Sequence, residues 1–106
     1  MAIPSYPEHS GVELEFYPTD VNGVAATPEN CRWRLVCKST NEVVQDWTVE
    51  TPGSAVAVFV SGLLTELRNR AASRELWSVV FVANYDLARE FSAEADFYLK
   101  RSLRVN

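Results

Sequence analysis

The sequence predicts an all-β fold, an antiparallel β-sandwich of six or seven strands with one short helical connector. Several short segments alternate apolar and polar residues, which is the period of a half-buried strand. Turn-forming residues separate these segments at spacings that are typical of sandwiches. Since each strand has one apolar face, two sheets packed on each other would bury all of these faces together.

The size and charge of the chain narrow the class of protein. Its 106 residues with a hydrophobic fraction of 47% suit one globular domain, and the formal net charge is -4. An acidic balance disfavours a nucleic-acid partner, and no apolar run approaches the ~20 residues that span a bilayer. No basic segment followed by an apolar core begins the chain, so we expect neither a signal peptide nor a membrane partner.

We expect an extended arm over residues 1–11 and one sandwich domain over residues 12–106. Pro4 and Pro7 remove two backbone donors, so the arm is not expected to join its own sheet centrally. Ile3 and Tyr6 give it apolar surface. A frayed terminus is the default interpretation of the arm. The alternative is a latch for a neighbouring subunit, which predicts that the arm serves assembly more than folding.

The first half of the domain contains the clearest strands. Residues 12–16 alternate, with Val12, Leu14 and Phe16 on one face. Residues 31–37 alternate as well, placing both cysteines and Trp33 on one face and Arg32 and Arg34 on the other. A return strand over residues 43–49 carries Trp47, which we expect at the sheet edge. The apolar run over residues 55–60 predicts a strand covered on both faces.

The second half is predicted to contain one helical connector between strands. Leu63, Leu64, Leu67 and Ala71 recur at helical spacing, which predicts a short helix within residues 61–73. Residues 75–83 form an apolar, β-branched strand. Residues 91–99 then alternate between apolar and polar side chains and predict the last strand.

The sequence contains no catalytic or metal-binding motif that we can identify, so we expect no enzyme activity, no cofactor and no metal. Its only histidine, His9, lies in the arm. Cys31 and Cys37 are separated by roughly 20 Å along a strand, beyond the ~7 Å limit for a disulfide. Both are interpreted as inert core thiols.

Acidic pairs and an arginine cluster are weaker candidates for binding. The pairs Glu13/Glu15 and Glu94/Asp96 each share one strand face and could hold a cation, although the wet face of a sheet produces such pairs by default. The arginines at 68, 70 and 74 could contact phosphate or carboxylates, with a solvated loop as the alternative. Protein contact is better supported, because aromatic residues are favoured interface anchors. The candidate interface residues are Ile3, Tyr6, Trp47, Arg68 and Arg70.

The order of motifs resembles a group of small virion proteins of tailed bacteriophages. The matching segments are CRWRL (residues 31–35), VVQDWT (43–48), TPGS (51–54), the alternating strand at 55–60, LWSVVFVA (76–83) and YLKRSL (98–103). The connector at residues 63–70 matches as well, so the resemblance covers roughly residues 28–103. It implies an immunoglobulin- or fibronectin-like sandwich without catalytic residues. The paired cysteines and the longer arm depart from the pattern.

This resemblance implies a capsid decoration protein that binds the major capsid protein in many copies or as a homo-oligomer. Its location would be the virion, assembled in the cytoplasm of the bacterial host. A head–tail connector, collar or tail component that contacts the portal is the first alternative. A carbohydrate-binding module that uses Trp47 or Tyr85 is the second.

Overall fold

The computed structural model describes residues 3–20, 22–69, 71–85 and 89–101. The described residues form seven strands: β1 (Ser5–Pro7), β2 (Val12–Phe16), β3 (Asn30–Cys37), β4 (Glu42–Glu50), β5 (Val56–Val60), β6 (Arg74–Asn84) and β7 (Glu90–Lys100). The predicted all-β class is confirmed. Within these ranges no helix is long and apolar enough to cross a membrane.

The strands form two sheets. The larger has the order β1-β7-β6-β3-β4, and the smaller pairs β2 with β5. All neighbours are antiparallel except β1 and β7, which run parallel. One hydrophobic cluster contains residues of both sheets, so the arrangement has two layers, consistent with a β-sandwich.

The alternation of β3 places its residues as predicted. Cys31, Trp33, Leu35 and Cys37 are buried, whereas the intervening side chains lie on the outer face. The small sheet covers them with the inward residues of β2 and β5. Across the two layers the rings of Phe16 and Phe81 are stacked, with their centroids 4.6 Å apart.

The prediction that β5 is covered on both faces is wrong. Val56, Val58 and Val60 are buried, but Ala57 and Phe59 point to solvent, with Phe59 62% exposed. The reason is that β5 belongs to the two-stranded sheet, whose outer face has no described layer packed over it. An apolar run in the sequence therefore does not here mean burial on both faces.

The predicted helix within residues 61–73 is also wrong, since the described part of this segment consists of turns and irregular backbone. Leu67 is buried but Leu63 is 92% exposed, so the leucines do not share one face. The carboxylate of Glu75 accepts hydrogen bonds from the backbone N–H groups of Arg68 (2.8 Å) and Asn69 (2.7 Å). These donors are thereby withdrawn from a helical ladder.

The described part of the arm joins the large sheet at its edge. Ser5–Pro7 forms β1 and pairs with residues 98–100 of β7. Behind it, Thr65 donates a hydrogen bond to the Ser10 carbonyl (2.8 Å), and the Leu67 N–H donates to Glu8 (3.3 Å). Gly62 lies so close that a Cβ there would be 2.6 Å from the His9 carbonyl oxygen. The loop after β5 therefore clamps the arm onto the domain.

Candidate protein interface

The interface residues predicted from the sequence do not form one site. Ile3 and Tyr6 lie at the β1 edge of the large sheet, and Trp47 lies in β4 at the opposite edge. Four strand spacings separate these edges, which is about 19 Å. Arg68 lies in the loop before β6, and Arg70 falls outside the described residues.

Tyr6 packs within the domain rather than presenting its ring to a partner. Its ring meets that of Phe97 edge to face, with centroids 5.8 Å apart. It is partly buried and packs against the hydrophobic core. Ile3, two residues before β1, is 40% exposed. Of the two arm residues, Ile3 is the more accessible.

Arg68 is engaged within its own chain. Its Nε lies 3.3 Å from the Glu42 carboxylate, and its Nη2 donates to the Leu64 carbonyl (3.1 Å). The guanidinium also lies 5.6 Å from the ring centroid of the buried Trp77. These contacts fasten the loop before β6 to the sheet, which is a structural role.

Trp47 lies in a different environment, on the outer face of the large sheet. Arg32 stands directly opposite Val49 in the β3–β4 register, and Val36 stands opposite Val43. Val43, Trp47 and Val49 are 49%, 38% and 78% exposed. We name this outer patch the Trp47 surface, and it consists of Arg32, Arg34, Val43, Trp47 and Val49.

The two arginines orient the indole of Trp47. Their guanidinium carbons lie 4.7 Å (Arg32) and 4.8 Å (Arg34) from the ring centroid, within cation–π distance. Among the described residues no carboxylate lies within ion-pair distance of either arginine. The Nε of Arg34 is buried and has no hydrogen-bond partner there. The Trp47 surface therefore carries two positive charges that no described carboxylate neutralises.

An irregularity in β4 brings Trp47 to this position. The β3–β4 register shifts on both sides of Leu35, as a β-bulge produces. The Trp47 N–H donates to the Asp46 carboxylate (2.8 Å), and the Gln45 amide donates to the Thr48 hydroxyl (2.7 Å). These local bonds occupy polar groups at the bulge and direct the indole over β3.

Beside the Trp47 surface, the outer face is electrostatically balanced. Lys38 contacts the carboxylates of Glu94 and Asp96 on β7. Hydrogen bonds to Glu94 and then Asp96 raise the pKa of Lys38 above its ordinary value. The acidic pair of β7 is thus occupied by an ammonium group, and Glu13 and Glu15 lie on the exposed face of β2.

The described residues include no group of three or more His, Cys, Asp or Glu side chains that could hold a metal ion. Cys31 and Cys37 are free and buried, as predicted. Burial, and then the nearby Glu50 charge, raise the pKa of the Cys31 thiol. Tyr85, the other candidate for stacking a sugar, donates its O–H to the Ala26 carbonyl (3.2 Å). Its pKa is raised by burial and then by Asp20.

The sequence predicted that Val43 and Val49 share a strand face with Trp47, but not that Arg32 and Arg34 lie beside its ring. The signal was present, because Arg32 and Arg34 alternate with buried residues and must therefore lie on the outer face. Two arginines on a neighbouring strand are natural partners for an outward indole. What the sequence did not contain was the register that sets them beside Trp47.

No family model, no curated protein and no solved structure matches the chain. The strand order and the Trp47 surface are therefore the features on which a functional proposal rests. Both combine the local alternation of the sequence with a pairing of strands that are distant in it.

Proposed function

We propose that this chain is a non-enzymatic structural domain that binds another protein through the Trp47 surface. The observation that carries the proposal is the exposure of Trp47 beside two valines that are more exposed still. Trp and Arg are enriched among the residues that dominate binding energy at protein interfaces. Trp47 lies on the edge strand β4 and the two arginines lie on its neighbour β3, so the outer face combines both residue types.

The charges of the surface define the partner it fits. Arg32 and Arg34 offer donors that no described carboxylate takes, whereas the valines and the indole offer apolar area. A matching surface would combine apolar side chains with Asp or Glu, since arginine binds carboxylates in a two-pronged geometry. We therefore propose an acidic and apolar protein surface as the partner.

The strand order supports an immunoglobulin-like type of sandwich. In that fold one sheet has strands in the order G-F-C-C′ and the other pairs B with E. The strand order β7-β6-β3-β4 in the large sheet and the pair β2-β5 in the small sheet correspond to these orders. Trp33 is buried on β3, where immunoglobulin domains place their core tryptophan. The inter-sheet disulfide of antibody domains has no counterpart, because both cysteines lie on β3.

Within this class, a decoration protein on the capsid of a tailed phage is the role we propose, with the major capsid protein as partner. The resemblance of residues 28–103 to such virion proteins motivates it. Many copies on a lattice would make modest individual contacts effective through multivalency. A head–tail connector, collar or tail component would use the same surface in fewer copies.

Purified particles of the phage that encodes the chain test this proposal. We expect hundreds of copies per particle, and loss of attachment for Trp47→Ala. The matched control is Tyr17→Ala, which removes another exposed aromatic, 59% accessible, from the end of β2. About a dozen copies per particle would instead indicate a connector or collar. A ring of that many copies would still bind with avidity. Absence from particles would contradict the virion role.

A carbohydrate-binding role is the alternative from another class. Exposed aromatic rings stack sugars, but the guanidinium groups of Arg32 and Arg34 already lie over the Trp47 ring. A sugar would have to displace them, so the geometry favours protein contact. Glycan-array binding that disappears in Trp47→Ala, with the fold retained, would support the carbohydrate role instead.

A further inference from the structure

The two sheets have four outer edges, and three carry features that discourage pairing with another chain. β1 is 3 residues long and ends on Pro7. β4 has shifted register and carries Glu42, Asp46 and Glu50. β2 carries Glu13 and Glu15. Short strands, prolines, bulges and charges are the devices by which proteins protect a sheet edge.

The β5 edge has none of these devices. Its five residues, VAVFV, contain no charge and no proline, and they pair with β2 in unbroken register. Residues 51–55 connect β4 to β5, and they form no strand that could pair with the β5 edge. No other described strand pairs with β5, and no backbone hydrogen bond links it to a described loop.

We infer that β5 pairs antiparallel with β5 of a second copy of this chain, joining the two small sheets into one four-stranded sheet. This inference is independent of the Trp47 surface, which lies on the other sheet. An antiparallel pair of identical strands is the natural geometry of a twofold dimer, because the same patch meets itself. The dimer would cover the exposed edge that each copy otherwise leaves open.

The residues of β5 fit this pairing. A twofold axis at Val58 pairs all five residues of both strands, with Val56 opposite Val60 of the second copy. It sets Ala57 opposite Phe59, so that a small side chain stands beside a large one on the outer face. Phe59, 62% exposed in one copy, would lose part of that exposure.

The charges select β5 over the other edges for self-pairing. A twofold axis at Leu14 would place Glu13 of one β2 opposite Glu15 of the next. The corresponding axis in β4 would place Asp46 opposite itself and Glu42 opposite Glu50. Like charges directly opposite each other destabilise a strand pair. Among the three longer edge strands β2, β4 and β5, only β5 pairs with its own copy without bringing carboxylates together.

Sedimentation velocity over a concentration series tests the inference on the full chain. We expect a species of twice the 11.9 kDa chain mass. Phe59→Lys should weaken the dimer roughly tenfold or more, since it puts a charge at the seam and removes apolar area. Its own fold should persist because Glu13 lies opposite residue 59. Ala57→Lys, opposite Glu15, is a second variant with the same expectation.

The matched control is Val24→Lys, which places the same charge at a loop residue of 60% exposure and should leave the dimer unchanged. Hydrogen exchange provides a separate readout, with the β5 amides that do not bond to β2 protected more at high protein concentration than at low. A chain that stays monomeric up to about 1 mM would overturn the inference. So would a dimer that Trp47→Ala dissociates and Phe59→Lys does not.

Discussion

Each edge strand of the large sheet carries one aromatic residue, and the two aromatic side chains lie in opposite environments. At one edge, β1 contributes Tyr6, whose ring packs edge to face on Phe97. At the other, β4 contributes Trp47, which lies on the outer face under two arginines. Both aromatics were predicted as interface anchors. The comparison teaches that the sequence cannot distinguish an aromatic residue that its own chain covers, such as Tyr6, from one that is left exposed, such as Trp47.

What covers the β1 edge is the loop between β5 and β6. Leu67 donates to Glu8, Thr65 donates to Ser10, and Gly62 lies against the His9 carbonyl. The same loop contacts β4 at one end, where Arg68 pairs with Glu42, but Val49 near the other end is 78% exposed. The loop thus fastens the β1 edge to the domain, whereas the outer face of β4 is left exposed.

Deleting residues 2–10 is expected to produce the largest loss of stability. It removes β1, the Tyr6 ring and the acceptors of the loop, so the free energy of unfolding should fall by about 4 kcal/mol. Urea unfolding of the full and shortened chains measures this. The result would reverse the sequence-based hypothesis that the arm serves assembly more than folding. An unchanged free energy of unfolding, with weaker attachment to particles, would restore that hypothesis.

Glu75→Gln should produce the next largest effect, because this carboxylate holds the covering loop. Glu75 is 1% exposed and accepts from the N–H groups of Arg68 and Asn69 and from the Trp77 indole N–H (3.2 Å). The amide of glutamine offers one acceptor oxygen where the carboxylate offers two, so we expect a loss of about 2–3 kcal/mol.

The matched control for this prediction is Glu13→Gln, since Glu13 is exposed on β2 and should change the unfolding free energy by less than about 0.5 kcal/mol. Hydrogen exchange of the Arg68 and Asn69 amides gives a local readout, and both should exchange faster in Glu75→Gln. Equal stability of the two variants would show that the loop does not depend on Glu75.

The two cysteines report whether the inner face of β3 is closed to solvent. This strand is the neighbour of β4, whose outer face is exposed. Cys31→Ala and Cys37→Ala should each cost about 1 kcal/mol through lost packing. Native thiols should react slowly with a maleimide, since both are buried. For Cys31 the raised pKa adds a pH dependence. The contribution of the Cys31 thiol to the free energy of unfolding is complete below the unfolded pKa of 9.0. It is lost as the pH rises through the higher pKa of the folded state.

Rapid labelling of both thiols in the folded protein would show that the inner face of β3 is accessible. Denaturation should release both thiols to the reagent and so serves as the control. The contrast between a closed inner face and an exposed outer face near β4 would then be wrong, because both faces would be accessible.

Local alternation predicted much of the fold. The inward and outward residues of β2, β3 and β7 follow from the period of two, since one face of each meets the core. The loop before β6 did not follow, because its leucines have helical spacing. Nothing within residues 61–73 indicates that Glu75 and Glu8 will take its backbone donors. That information lies in tertiary contacts.

The sequence likewise predicted some features of the candidate site and not others. Trp47 was selected because tryptophan is a favoured interface anchor, and the structure places it on the outer face of β4. Tyr6 was assigned to the same role because the parallel pairing of β1 with β7 is not visible in a three-residue segment with two nearby prolines. Residues that a distant strand brings together, such as Arg34 and Trp47, require the register of β3 with β4.

The contrast between Tyr6 and Trp47 is tested most directly by the free energy of urea unfolding of Tyr6→Ala and Trp47→Ala. Tyr6→Ala should lose about 3 kcal/mol because it removes a partly buried ring that packs against Phe97 and the core. Trp47→Ala should lose about 1 kcal/mol, the scale of exposed cation–π contacts. Equal losses, or a larger loss for Trp47→Ala, would contradict the account by making Trp47 part of the fold and Tyr6 the free residue.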